Sequence, residues 1–228
     1  MVSRSFVLKP VHFGMLRRTR PFSTHWDDDP GLPIDRYYIH QFLSAHAADI
    51  RGRVLEIRDN TYTYKFGTGQ VTQSDVLHVQ EGLPGTTIVA DLTRGDNIPS
   101  DTFDCIILTQ TLQFIYDVHS TVRTLYRILK PRGILLATFP GISQISRRDM
   151  NRWGEYWRFT TLSSQKCFAE VFAEEQVTVE AYGNVLSAIT FLHALPAENL
   201  HHNELDYRDP DYEVLITVRA IKRETAAP

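Results

Sequence analysis

A chain of 228 residues with 43% hydrophobic content suffices for one domain with a complete core and some decoration. A net charge of −3 and a pI of about 6.3 exclude a global electrostatic attraction to nucleic acid. No apolar run has bilayer-spanning length and no signal-peptide apolar core opens the chain, while Cys105 and Cys167 form no disulfide framework, so a reducing cytoplasm is expected.

Residues 1–33 mix basic, aromatic and turn-forming residues and read as an N-terminal extension. Arg4, Lys9, Arg17, Arg18 and Arg20 all precede the first acidic residue, Asp27. A solvated arm is the plain reading, and a weak surface contact with anionic lipid or a partner protein is the other. A domain is expected over 34–222, opening with a helix from Ile34 to Ala48 that offers Tyr38, Phe42 and Leu43 for packing. RVLEI (Arg53 to Ile57) is the first strand. A polar, aromatic loop leads to the second, VTQSDVL, ending near Asp75.

Three further apolar runs end where polar residues can meet a ligand. Thr86 to Asp91 is the third strand, Phe103 to Thr109 the fourth, and Gly133 to Phe139 the fifth. Between the last two, Val118, Val122, Leu125 and Leu129 form the stripe of an amphipathic helix that stops at Lys130-Pro131. Apolar runs separated by a helix pattern are what a buried parallel sheet requires, and its ligands bind beyond the carboxyl ends of the strands. Ser143 to Thr161, polar, arginine-rich and aromatic, suits an insertion or lid. Leu162 to Phe172 reads as a helix, as does Val185 to Leu195. VTVEAY (Val177 to Tyr182) and EVLITVRAI (Glu213 to Ile221) read as an edge hairpin, and residues 223–228 as a tail.

The order of these pieces carries a resemblance. An acidic residue after a strand, an acidic loop, FDCIIL, a TQTLQF turn, a helix and LKPRGILLATFP together resemble the second half of a class I S-adenosylmethionine-dependent methyltransferase, of the type 11-like group. PIDRYYIHQFL and RWGEYWRFT are similar to pieces of a bacterial subgroup of such proteins, and the likeness spans roughly Arg36 to Lys222. It implies a Rossmann-like α/β fold, with a mostly parallel seven-stranded sheet, an antiparallel edge strand and helices on both faces. It also implies S-adenosylmethionine as cofactor and a small-molecule or glycan acceptor.

Site residues follow from the resemblance by position. Asp75, after the second strand, is either the acceptor for both ribose hydroxyls or an exposed strand-end residue. Asp91 is placed to accept from the adenine amino group, with Leu92 against the ring, although Asp is also a common turn residue. Glu56, one position before the end of the first strand, needs backbone donors or the methionine ammonium as partner. Thr109 and Gln110 fall at the methionine or sulfur end. On the acceptor side stand Trp157 and Arg158, with Tyr38 closing from the first helix. No general base is identifiable, and His119 is the histidine nearest the expected rim. His201-His202 lacks a spaced partner for a metal.

One departure stands out. The family turn after the first strand is acidic-x-Gly-x-Gly-x-Gly, and here it reads Glu56-Ile57-Arg58-Asp59-Asn60-Thr61-Tyr62, with Arg58 at the first glycine. Asp59 and Asn60 tolerate left-handed backbone, whereas the Arg58 side chain must swing away or fill part of the methionine pocket. The short stretch from Arg58 to Asp75 leaves room for only a turn or two of helix, at Thr61 to Phe66. A non-catalytic protein that keeps the fold as a partner or scaffold is therefore the alternative, and it predicts a blocked pocket with Arg58 salt-bridged across it. A nicotinamide enzyme is set aside for want of G-x-G-x-x-G.

Overall fold

Strands that bury both faces place alternate residues into two separate cores, and this chain does so. The computed structural model describes residues 12–24, 31–67 and 69–224. Its strands are β1 (Gly52–Ile57), β2 (Val71–His78), β3 (Ile88–Val89), β4 (Phe103–Thr109), β5 (Leu129–Pro140), β6 (Val177–Tyr182) and β7 (Leu215–Ile221). They form one sheet in the order β3-β2-β1-β4-β5-β7-β6. β1 to β5 are mutually parallel, and β7 runs antiparallel to both β5 and β6. The chain turns back between β1 and β4, which is the switch point where open α/β sheets form their crevice.

The helices are α1 (Ile34–Ala45), α2 (Thr61–Phe66), α3 (Val118–Ile128), α4 (Arg147–Trp153), α5 (Thr161–Phe172), α6 (Val185–Leu192) and α7 (His202–Asp206). On one face Leu55, Ile106, Leu135 and Phe139 cluster with Val122 and Leu125 of α3 and Phe168 and Phe172 of α5. On the other, Val54, Ile107 and Leu136 cluster with Ile39, Phe42 and Leu43 of α1 and Phe191 of α6. Val118, Val122 and Leu125 of the α3 stripe are buried, while Leu129, expected on the helix, is the first residue of β5; Asp117 caps α3 by accepting the Ser120 N–H at 3.0 Å.

Several boundaries differ from those read in the sequence. α1 stops at Ala45 and a 3-10 turn carries the chain on to Asp49. β3 keeps only two residues, because the Thr87 hydroxyl oxygen, not a main-chain group, accepts the Val76 N–H at its start (2.9 Å). β5 begins at Leu129, not Gly133. Phe103 pairs with Leu129 and the next pairing is Cys105 with Ile134, so the intervening residues bulge, with Arg132 at φ 65°. β5 leaves the sheet at Gly141, where a Cβ would collide with the Glu213 carbonyl oxygen.

The second strand is the consequential correction. β2 runs through Asp75 to His78, so Asp75 sits inside the sheet opposite Leu55 and is buried. Its carboxylate accepts from Arg53 Nε (2.7 Å), Gln73 Nε2 (3.1 Å) and the Thr87 hydroxyl (3.1 Å), and is thereby spent on structure.

Arg4, Lys9 and Asp27 lie outside the described residues. Within them, the Phe22 N–H donates to the His193 carbonyl at 2.9 Å and Arg18 lies over the Phe22 ring, which seats residues 12–24 at the end of α6. No helix among the described residues is long and apolar enough to cross a membrane. Cys105 is fully buried in β4 and Cys167 lies on α5, both as free thiols whose pKa burial pushes up, Cys167 to about 11.

Removing the Asp75 carboxylate strands donors around it. Asp75→Ala is expected to lower unfolding free energy by about 2–3 kcal/mol in urea melts, with ligand affinity of the folded protein unchanged.

Candidate functional site

Beyond the carboxyl ends of β1, β2, β4 and β5 opens a cavity of about 1060 Å³. Its floor begins at Glu56. That carboxylate is buried and accepts the N–H groups of Tyr62 (3.1 Å) and Thr63 (2.8 Å) and the Thr63 hydroxyl (2.7 Å). It thus serves the exposed donors at the start of α2, a six-residue helix too short to persist alone. Burial pushes the Glu56 pKa from 4.5 up to about 7, against the three donors, which favour the ionised form.

Arg58 follows with φ 79°, the left-handed backbone for which glycine is suited. Its N–H donates to the Leu77 carbonyl at 3.0 Å, which fixes the turn to the neighbouring strand. The side chain lines the cavity and has no ion pair among the described residues. The bridge across the cleft that the non-catalytic alternative calls for is therefore not formed. Asp59 also lines the cavity, with Oδ1 accepting the Thr61 N–H at 3.0 Å. Asn60 does not line it, because its amide points to Ser74 Oγ at 3.3 Å.

Asp91 and Leu92 reach the cavity after β3. Asp91 Oδ1 accepts from the Thr93 N–H and hydroxyl, each at 2.8 Å, and Oδ2 has no protein donor among the described residues. It is a turn residue and a cavity residue at once. Leu92 is buried against Leu77 and Ala90 in the core. Thr109 and Gln110 line the end of β4, where Gln110 has φ 46° and donates its N–H to the Thr138 carbonyl at 2.9 Å. Two carboxamide oxygens of the lining, Gln113 Oε1 and Gln144 Oε1, are buried without a hydrogen-bond partner.

Four other expected residues lie elsewhere, beside Asn60 and Asp75. Tyr38 is fully buried in the α1 face, its hydroxyl donating to the Leu205 carbonyl at 3.0 Å. His119 forms an exposed pair with Glu170 of α5 at 3.3 Å, outside the cavity. Trp157 donates to the Ile115 carbonyl at 3.1 Å and stacks on Tyr116, so it supports the rim from behind. Arg158 is consumed by Glu155 (2.6 Å) and by the carbonyls of Ser143, Gln144 and Trp157, and it clamps the loop after β5.

Other residues take these places, among them Trp153 and Tyr156 of the RWGEYWRFT segment. Tyr116 and Tyr156 meet edge to face at the rim, 5.4 Å between centroids, with Tyr116 71% exposed. His78 ends β2, the place expected of Asp75, and α4 brings Arg152 and Trp153 over it. VTQSDVL, read in the sequence as ending near Asp75, keeps Val76 and Leu77 in the strand, and their burial carries it on to His78.

With this geometry in hand, comparison places the chain. A family model described as a methyltransferase domain matches residues 34–179, so the chain belongs to that family. No protein of curated function matches it in sequence. Among solved structures, a methyltransferase from Mesorhizobium loti, titled S-adenosylmethionine dependent, superposes at TM-score 0.55 with 16% identity, over 86% of this chain and 100% of that one. A second, from Archaeoglobus fulgidus and similarly titled, gives 0.51 and 12%, over 82% and 90%. A phosphoethanolamine N-methyltransferase from Haemonchus contortus, solved with phosphomonomethylethanolamine and S-adenosylhomocysteine, gives 0.54 and 13%, over 85% and 54%. These likenesses share the class I Rossmann-like fold described above.

Membership brings methyl transfer, with S-adenosylmethionine as cofactor. The residues present suit it at Asp91, whose Oδ2 has no donor among the described residues and which stands beside Leu92 where the resemblance expects adenine. The β1–α2 turn is formed despite Arg58. His78 stands at the end of β2, where the resemblance expects a carboxylate for the ribose.

Two measurements probe this turn. The raised Glu56 pKa means that the folded protein holds this proton between about pH 4.5 and 7 while the unfolded chain releases it. Stability from this group is therefore full below about pH 4.5 and lost as pH rises through about 7. Urea melts across that window should show wild type losing on the order of 3 kcal/mol relative to Glu56→Gln, which cannot titrate. Arg58→Gly should gain about 0.5–1 kcal/mol in the same assay by relieving the left-handed φ, net of glycine's added chain entropy.

Proposed function

We propose that the protein transfers the methyl group of S-adenosylmethionine to a small-molecule or glycan acceptor held in this cavity. The observation that carries the reading is the β1–α2 turn. It keeps a glycine-type conformation at Arg58, and the cavity beside it is open. A protein that had abandoned the site would have no need of either.

In this reading Asp91 Oδ2 accepts from the adenine amino group and Leu92 packs the ring. Glu56 accepts the N–H groups of Tyr62 and Thr63 and so fixes the β1–α2 turn beside the ligand. Thr109 and Gln110 border the methionine end. When bound, the cofactor supplies an electrophilic methyl on a sulfonium, and the chain contributes position and exclusion of water. Tyr116 with Tyr156 offers a rim on which a sugar or flat ring can stack. An acceptor that is already nucleophilic needs no general base, in keeping with the place of His119 outside the cavity.

Calorimetric titration with S-adenosylmethionine and S-adenosylhomocysteine tests the reading. Micromolar affinity, about −8 kcal/mol, is expected, weakened about tenfold in Asp91→Ala. Absence of binding in wild type, with binding gained in Arg58→Gly, would instead establish the non-catalytic alternative.

A further inference from the structure

α6 inverts the usual arrangement of a surface helix. Its sequence, VLSAITFL, has no charged residue, and its two hydroxyl residues face inward. Ser187 and Thr190 are buried and donate to the Asn184 and Leu186 carbonyls at 3.0 and 2.8 Å. Val185, Leu186, Ile189 and Leu192, by contrast, are 38–46% exposed. Positions 185, 189 and 192 recur at helical spacing and form one stripe along the outer face, with Leu186 on its flank. A helix that is apolar on both sides needs cover on both, and nothing among the described residues covers this stripe.

The two ends of the stripe carry opposite charge. At the C-terminal end the Phe22 N–H bonds the His193 carbonyl and Arg18 lies over the Phe22 ring, which brings Arg17, Arg18 and Arg20 there. All three are exposed, and none has a carboxylate partner among the described residues. Glu198, the acid nearest in sequence, is held by the Leu32 N–H at 3.0 Å. At the N-terminal end the Asp209 N–H donates to the Gly183 carbonyl at 2.8 Å, directly before the cap residue Asn184. Asp209 and Asp211 therefore stand at that end, and neither has a cation partner among the described residues. Arg208 beside them is occupied by Glu180 at 3.1 Å and by the Tyr182 ring.

We propose that this face binds a second copy of the chain, through an antiparallel α6–α6 contact about a two-fold axis. Such an axis sets one patch against the same patch reversed. Ile189, near the middle of α6, then meets its counterpart, and the arginine end of each copy meets the aspartate end of the other. Both apolar stripes are covered at once, and no like charges oppose. A parallel pairing would set arginine against arginine, and an anionic membrane would be repelled by the aspartate end. α6 is only about 12 Å long, so the contact is modest in area and the charged ends fix its register. The inference is independent of the methyl-transfer reading.

Sedimentation equilibrium of the full chain over a concentration series reads the association directly. A monomer–dimer equilibrium in the micromolar range is expected, weakened about tenfold or more in Ile189→Asp, where two carboxylates would meet at the axis. Arg20→Glu and Asp211→Lys should each weaken it about tenfold, and the double variant, which exchanges the charges, should restore it. A chain that stays monomeric into the millimolar range, a dimer indifferent to Ile189→Asp, or a double variant no better than the single ones would overturn the proposal. So would a monomer that binds vesicles of anionic phospholipid and loses them in Ile189→Asp, which would assign the face to a membrane surface.

Discussion

One buried carboxylate organises the working half of this molecule. Glu56 is held out of water, which costs several kcal/mol for an unpaired charge, and three donors offset that cost. Each donor comes from the first turn of α2, so the same contacts fix where the chain goes after β1. A six-residue helix has too few internal bonds to hold itself, and here it is tied to the sheet at its start. The turn at Arg58, and with it the mouth of the cavity, follows from that tie.

The rest of the site depends on how arginines are used. Arg158 satisfies one carboxylate and three carbonyls, and it acts as a staple for the loop that leads into α4. With that loop fixed, α4 can reach from the exit of β5 to the end of β2 and cover the ground between. Arg53 plays a comparable part inside the sheet, where it pins Asp75 across two strands. Arginines whose forks are filled by protein acceptors in this way are scaffold.

Much of the architecture was legible in the sequence because buried strands and amphipathic helices leave periodic marks. β4, β6, α2 and all of the α3 stripe but Leu129 match the residues that pattern and length pick out. The seven-stranded arrangement followed from the order of runs and its family likeness. Site residues were harder, since a motif gives position along the chain and not register. The resemblance calls for an acidic residue after the second strand and so puts Asp75 at its end, yet the strand continues three residues further. Trp157 and Arg158 carry chemistry that suits a ligand, but neighbouring carbonyls claim both. Tyr38 packs with Phe42 and Leu43 as the helix pattern offers, and that use leaves it no part in closing the cavity. Glu56, Arg58, Asp59, Asp91, Leu92, Thr109 and Gln110 were recoverable because each adjoins the end of a β-strand, where the cavity opens.

Two positions near the sheet's upper edge show where such a fold can drift. At Gly141 the constraint is space, since any Cβ meets the Glu213 backbone, and no rotation of a side chain relieves it. At Arg58 the constraint is only a dihedral angle, because the side chain has a cavity to extend into. The first position is closed to substitution by geometry. The second tolerates every residue that can bear a modest backbone penalty, so the mouth of the cavity can exchange its chemistry, glycine for arginine included, while the sheet beneath it stays the same.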